Sequence, residues 1–131
     1  MDFKLELVIM PVADIDRAKA FYAEKAGFTV DVDFSAGEFR VVQLTPPGSA
    51  CSISLVSQTD MAPGVIQGLH LVVADIEAAR AELVGRGVEA GEVFHYAEGG
   101  PVPGLDPTRQ KYGSYVSFSD PDGNGWLLQE A

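Results

Sequence analysis

Cysteine is nearly missing from this chain: Cys51 is the single one in 131 residues. No internal disulfide can form, and the usage fits a reducing compartment, so a cytoplasmic location is expected. Cys51 itself reads as a small hydrophobe in a strand. Basic residues are scarce as well, 9 Lys and Arg against 19 Asp and Glu, for a net charge of −10. Such a surface repels phosphate backbones and no local basic cluster offsets it, so nucleic acid is not expected as a partner. Long apolar runs are also lacking. The longest, Leu7 to Ala13, falls far short of the ~20 residues that span a bilayer. Asp2 and Glu6 stand before it, where a signal peptide would carry basic residues. No membrane partner is expected. No Ser-His-Asp arrangement or CxxC pair occurs, and the Gly-containing stretches lack the strand-to-helix setting that phosphate binding requires.

What is present begins with a repeat. VADIDRAKAFYAEKAGF starts at Val12, and VADIEAARAELVGRGV starts at Val73. Each copy follows a short apolar run, LELVIMP or GLHLVV, and each ends on a Gly followed by an apolar residue, Gly27-Phe28 or Gly87-Val88. Strand, Asp, helix, Gly, strand recurs in one order, the mark of a duplicated supersecondary unit. Asp14 and Asp75 stand where a carboxylate caps the first helical N–H groups. Ile15, Ala18, Phe21, Tyr22 and Ala26 form one apolar helical face; Ile76, Ala79, Leu83 and Val84 form the other. Gly27 and Gly87 close the helices where positive φ is usual.

Strands are predicted at 4–12, 28–34, 38–45 and 49–56, with SAG and PPG as turns. In the second copy they are predicted at 69–73, 88–96, 115–119 and 126–130. Residues 97–114, rich in Gly and Pro, read as an inserted loop, and a loop of that length more often serves as a lid or binding loop than idles. The chain is therefore expected to be one α+β domain of two tandem β-α-β-β-β modules, about 3–57 and 68–131, joined by a linker of about 58–67.

With FY on the first helix and SDPDGNGWLLQE before and through the last strand, this chain resembles the vicinal oxygen chelate superfamily, the glyoxalase/bleomycin resistance protein/dioxygenase fold. The resemblance covers nearly the whole chain. It implies two curved mixed sheets, each a half-barrel around a cavity with helices outside, and it implies homodimers. Unfilled sheet edges favour the same assembly. Metal-using members place ligands on the inner faces of these sheets, at positions matching Leu7, Gly68 and Leu127 here. Leu and Gly offer no donor atoms, and CSISLV, where a further ligand falls, holds no His, Glu or Gln. The usual metal site is missing, so no metal cofactor is expected.

Strand alternation puts His70 and Gln129 on the faces of Gly68 and Leu127. They are the candidates for a displaced site for a divalent ion such as Zn, Ni, Mn or Fe, against a plain polar lining or a satisfied core histidine. Leu7, Ile9, His70, Leu127 and Gln129 are together expected to line a small-molecule cavity, apolar walls with a few polar groups. His95 and Tyr96 at a strand end are either ligand contacts or solvated residues. Arg109, Lys111 and Tyr112 lie in the insertion, with Arg109 and Tyr112 the candidates to reach a ligand. Asp120 and Asp122 read as turn carboxylates bonding their own backbone. Trp126 has the opposite parity to Leu127 and is expected against a helix or a dimer partner. Three functions follow: metal-independent binding of a small organic molecule, an enzyme (lyase, isomerase or dioxygenase type) with a displaced metal or none, or a non-catalytic interaction domain. Whether the chain is an enzyme stays open at this point, as does the ligand.

Overall fold

A computed structural model describes all 131 residues. Contacts divide them into two units: unit 1, Met1–Ile66 with Asp120–Asn124, and unit 2, Gln67–Ser119 with Gly125–Ala131. The architecture is α+β, with one mixed sheet and one α-helix in each unit.

Unit 1 contains β1 (Leu7–Ile9), α1 (Ile15–Ala20), β2 (Thr29–Ala36), β3 (Phe39–Thr45) and β4 (Ser52–Val56) in the spatial order β1-β4-β3-β2. β1 runs parallel to β4, and the other pairs are antiparallel. Asp14 starts α1 by accepting the Arg17 N–H at 3.1 Å. After six residues the helix widens into a π-turn over Phe21–Lys25, in which Ala26 N–H donates to the Phe21 carbonyl at 2.9 Å. That turn buries both Phe21 and Tyr22, and Gly27, at φ 79°, leads into β2. α1 is far shorter than the ~12–15 residues a free helix needs, so packing on β4 holds it. The core beneath it is Ala18, Tyr22, Phe28, Val42, Leu44, Ile53 and Leu55, all buried. Tyr22 stacks on Phe28 at 5.5 Å.

Unit 2 contains β5 (Leu69–Val73), α2 (Ile76–Gly85), β6 (Phe94–Ala97), β7 (Gly100–Pro103), β8 (Ser114–Ser119) and β9 (Gly125–Glu130), ordered β5-β9-β8-β6-β7. Asp75 caps α2 through the Ala78 N–H at 3.1 Å, and Gly87 at φ 95° follows its end. α2 packs on β8 and β9. Ile76, Leu83, Val88, Val116, Phe118, Trp126 and Leu128 form the core, with Phe118 and Trp126 stacked at 6.1 Å. Trp126 is thus an interior residue of its own unit.

Two expectations fail in unit 2. Residues 88–93 form no strand; the segment is tied down by Gly91 N–H to the Ser117 carbonyl at 2.8 Å and by Arg80 to the Gly91 carbonyl at 2.6 Å. The inserted stretch is not all loop. Its first part is β7, which pairs with β6 from Phe94–Pro103 to Ala97–Gly100. Pro101 and Pro103 are tolerated because β7 is the sheet edge, where a missing N–H disrupts no ladder.

The segment Asp120–Asn124 belongs to unit 1 although β8 and β9 flank it in sequence. Asp120 Oδ2 accepts the Tyr22 hydroxyl at 2.7 Å and Asn124 Nδ2 at 2.8 Å. Its Oδ1 accepts the N–H groups of Asp122 and Asn124, both at 2.9 Å. Asn124 also donates to the Pro11 carbonyl at 2.9 Å and accepts the Ile66 N–H at 3.1 Å. Asp122 Oδ1 takes the Ala13 N–H at 3.1 Å and Arg17 at 3.0 Å. Asp120 bonds its own turn, as expected, whereas the Asp122 carboxylate reaches out of the turn to Ala13 and Arg17, and the two together anchor the first strand and helix of unit 1.

Candidate functional site

In unit 2 the pleat gives the sheet two unlike faces. Trp126, Leu128, Val116 and Phe118 point to α2 and are buried. Their neighbours point the other way and stay open. Register places His70 opposite Leu127 and Val72 opposite Gln129, with Tyr115 opposite Gln129 and Phe94 opposite Tyr115. His70, Leu127 and Gln129 therefore share the open face with Tyr115, Phe94 and Tyr96.

The side chains of that face make an aromatic corner. Phe94 stacks on Tyr115 with ring centres 5.6 Å apart and planes 23° apart. Tyr96 stands edge-on to both, at 5.6 Å from Phe94 and 5.3 Å from Tyr115. His70 meets Tyr115 edge-on at 6.4 Å. Its Nδ1 lies 2.6 Å from the Gly68 carbonyl, which fixes the ring, and Gly68 reaches that position with φ 78°. Gln129 makes a long 3.5 Å bond to the Tyr115 hydroxyl. Beside the corner an apolar depression of about 200 Å³ is lined by Val93, Phe94, Pro101, Val102, Pro103 and Glu92. Drug-sized ligands occupy roughly 300–1,000 Å³, so this depression accommodates a ring system and not a whole drug-sized molecule.

Leu7 and Ile9 lie on β1 of unit 1, on the sheet face away from α1, where register sets them opposite Ser52 and Ser54. Ile9, Val32, Phe34 and Phe39 are exposed apolar residues of that unit. Tyr115 and Phe94 escaped sequence reasoning because their meeting depends on a cross-strand register that no local pattern encodes. Tyr96, two residues beyond Phe94, was the visible trace of the cluster.

The other candidates are placed elsewhere. His95 alternates to the face opposite Phe94 and Tyr96, where its Nδ1 contacts the Gly104 carbonyl at 2.8 Å. Arg109 is turned to the helix side. It holds Glu130 in a two-pronged pair at 2.9 and 2.7 Å, while Glu130 also accepts the Ile76 N–H at 3.0 Å. The guanidinium beside it, with that N–H, holds the Glu130 carboxyl down to about 2. Arg109 and Tyr112 both adopt positive φ, 49° and 63°, in a loop shaped by Asp106 accepting the Gln110 N–H at 2.9 Å. The Tyr112 ring is exposed, and its N–H donates to the Glu130 carbonyl at 2.7 Å. The insertion therefore presents Arg109 to Glu130 and away from the open face, contrary to the inward reach expected of it. A depression of about 270 Å³ lies on that side, lined by Ala74, Arg109, Gln110, Lys111, Glu130 and Ala131.

A divalent ion does not fit these residues. No three His, Cys, Asp or Glu side chains come together. His70 has committed Nδ1 to Gly68, and Gln129 adds a neutral amide, fewer donors than such an ion requires.

A sequence profile of the glyoxalase/bleomycin resistance protein/dioxygenase superfamily matches residues 4–128. The chain belongs to this superfamily. Among solved structures of the superfamily's fold it is similar to TnmS3, an antibiotic binding protein from Streptomyces sp. CB03234, at 33% identity. That match covers 98% of this chain and 96% of the other, with a TM-score of 0.78. A glyoxalase/bleomycin resistance protein from the same Streptomyces is 34% identical, covering 96% and 99% with a TM-score of 0.74. A curated relative, YetH of Bacillus subtilis (strain 168), is 27% identical over 94% of each chain.

Proposed function

We propose that this superfamily member binds a small organic molecule without a metal, using the open face of unit 2. The observation that carries the reading is the corner of Phe94, Tyr96 and Tyr115 with His70 and Gln129 at its side. Half-exposed rings are costly to leave in water and supply affinity when covered, while a few polar groups fix orientation. The similarity to an antibiotic binding protein at 33% identity supports the same class of activity. The protein acts as a homodimer in this reading: β2 is an edge strand paired only with β3, and Val32 and Phe34 on it are exposed.

A thermal-shift screen of aromatic antibiotics, bleomycin included, tests the binding, with each compound run with and without EDTA. A hit should raise the melting temperature equally in both. His70→Ala should weaken the hit by about 1–3 kcal/mol through one lost hydrogen bond. A stabilisation that appears only with added metal defeats the metal-free reading, and a panel with no hit defeats binding. Light scattering at micromolar concentration should give twice the 13.9 kDa chain mass.

A further inference from the structure

The aromatic corner of unit 2 carries information about the charge of what it takes. Phe94 and Tyr115 lie face to face and Tyr96 stands at 86° and 71° to them, so ring walls meet at an angle. Ring faces attract a cation centred within about 6 Å. Of the polar groups beside them His70 has the same preference, while the Gln129 amide and the tyrosine hydroxyls can serve either kind of ligand group. The Gly68 carbonyl can only accept, so His70 Nδ1, 2.6 Å away, holds the ring proton. In the neutral imidazole Nε2 is then an acceptor, ready for a ligand's N–H or O–H.

No cation shares this face. Arg80, Arg86 and Arg109 of unit 2 are paired with Glu92, Glu82 and Glu130, and Lys111 lines the depression beside Arg109. His95 is on the opposite face, at the Gly104 carbonyl. An anionic ligand would meet ring faces and a chain of net charge −10. We propose that the open face of unit 2 selects a planar aromatic ligand bearing a protonated amine over the aromatic carboxylate of the same shape. The proposal rests on the binding function above and adds the ligand's charge class.

Three probes of one ring system test it: 9-(aminomethyl)anthracene, 9-anthracenemethanol and 9-anthracenecarboxylate. Equilibrium dialysis against the full chain at pH 7.5, read by anthracene fluorescence, gives each affinity. Salt at 0.5 M shortens the screening length to about 4 Å, so the net charge contributes little and local contacts decide. The amine should bind roughly tenfold tighter than the carboxylate, as one desolvated cation–π contact provides, with the alcohol between. Tyr96→Ala, at an exposed strand end, should cut amine binding several-fold while barely moving the carboxylate. Tyr115→Ala should cut it further, and His70→Phe should narrow the gap between amine and carboxylate. If all three probes bind equally, or the carboxylate binds best, and both tyrosine variants weaken them, charge selection is wrong while the binding site stands. If no probe binds, or neither tyrosine variant matters, both readings are overturned.

Discussion

Replacing Asn124 by Ala should be among the most damaging single changes outside the apolar core. The side chain is fully buried and makes three bonds: to the Pro11 carbonyl at 2.9 Å, to Asp120 Oδ2 at 2.8 Å and from the Ile66 N–H at 3.1 Å. The two backbone bonds contribute about 1 kcal/mol each, and the bond to the carboxylate about 1.5–3 kcal/mol. The Pro11 carbonyl and the Ile66 N–H lose this partner, while Asp120 Oδ2 keeps the Tyr22 hydroxyl, so these terms overlap. A loss of about 3–5 kcal/mol follows, a large part of the ~5–15 kcal/mol that holds a typical domain folded. Urea unfolding followed by circular dichroism at pH 7 measures it. Asn124→Asp is the sharper control: it leaves no cavity but exchanges a donor for a second carboxylate facing Asp120. It should cost at least as much as Ala. Tyr22→Phe removes one hydroxyl from the same oxygen and should cost about 1.5–3 kcal/mol, less than additively in the double variant. If both Asn124 variants unfold within 1 kcal/mol of the native chain, the hydrogen-bond reasoning for this segment is refuted (a threshold near the ordinary surface effect).

Gly64→Ala places a Cβ against the Asp122 carbonyl at a backbone φ of 84°, and should cost about 2 kcal/mol or more by the same unfolding assay. Glu130 has a carboxyl held down to about 2 by Arg109, so its contribution is complete above the usual carboxylate range and is lost as pH falls through about 2. Arg109→Gln should therefore lower the melting temperature at pH 6 and leave it nearly unchanged below pH 2, as a pH series of thermal melts will show. EDTA should not move the melting temperature of protein purified without a His-tag, whereas a resident metal would have raised it through linkage.

The helices were legible because their signals are local. Asp14 and Asp75 sit one residue before each helix and do bond its first turn, and Gly27 and Gly87 follow with the positive φ their position requires. Strand parity carried further than periodicity alone: His70 and Leu127 fall on one face because β5 and β9 pair in register. What escaped is non-local. The expected strand at 88–96 is only Phe94–Ala97, because the residues before it are held by Ser117 and Arg80 instead of a ladder. Prolines at 101 and 103 argued for a loop, yet an edge strand admits them. Arg109 was aimed by residue type, but loop dihedrals and a buried glutamate on the far side of the sheet decide its direction. The aromatic corner needed Phe94, Tyr96 and Tyr115 from two strands, and no spacing in one of them announces it.

The placement of Asp120–Asn124 bears on how a duplicated gene can diverge. The two halves look like copies, yet the second half carries five residues that serve the first. A fragment ending at the repeat boundary would lose the bonds that Asp120, Asn124 and Asp122 make to the Tyr22 hydroxyl, the Pro11 carbonyl and the Ala13 N–H. Fission of this gene back into two free-standing cassettes is therefore closed, and exchange of a half with that of a relative must carry DPDGN with it. Substitutions at Pro11, Tyr22 and Asn124 should consequently track one another across relatives as a single inherited set, however far apart they lie in the reading frame.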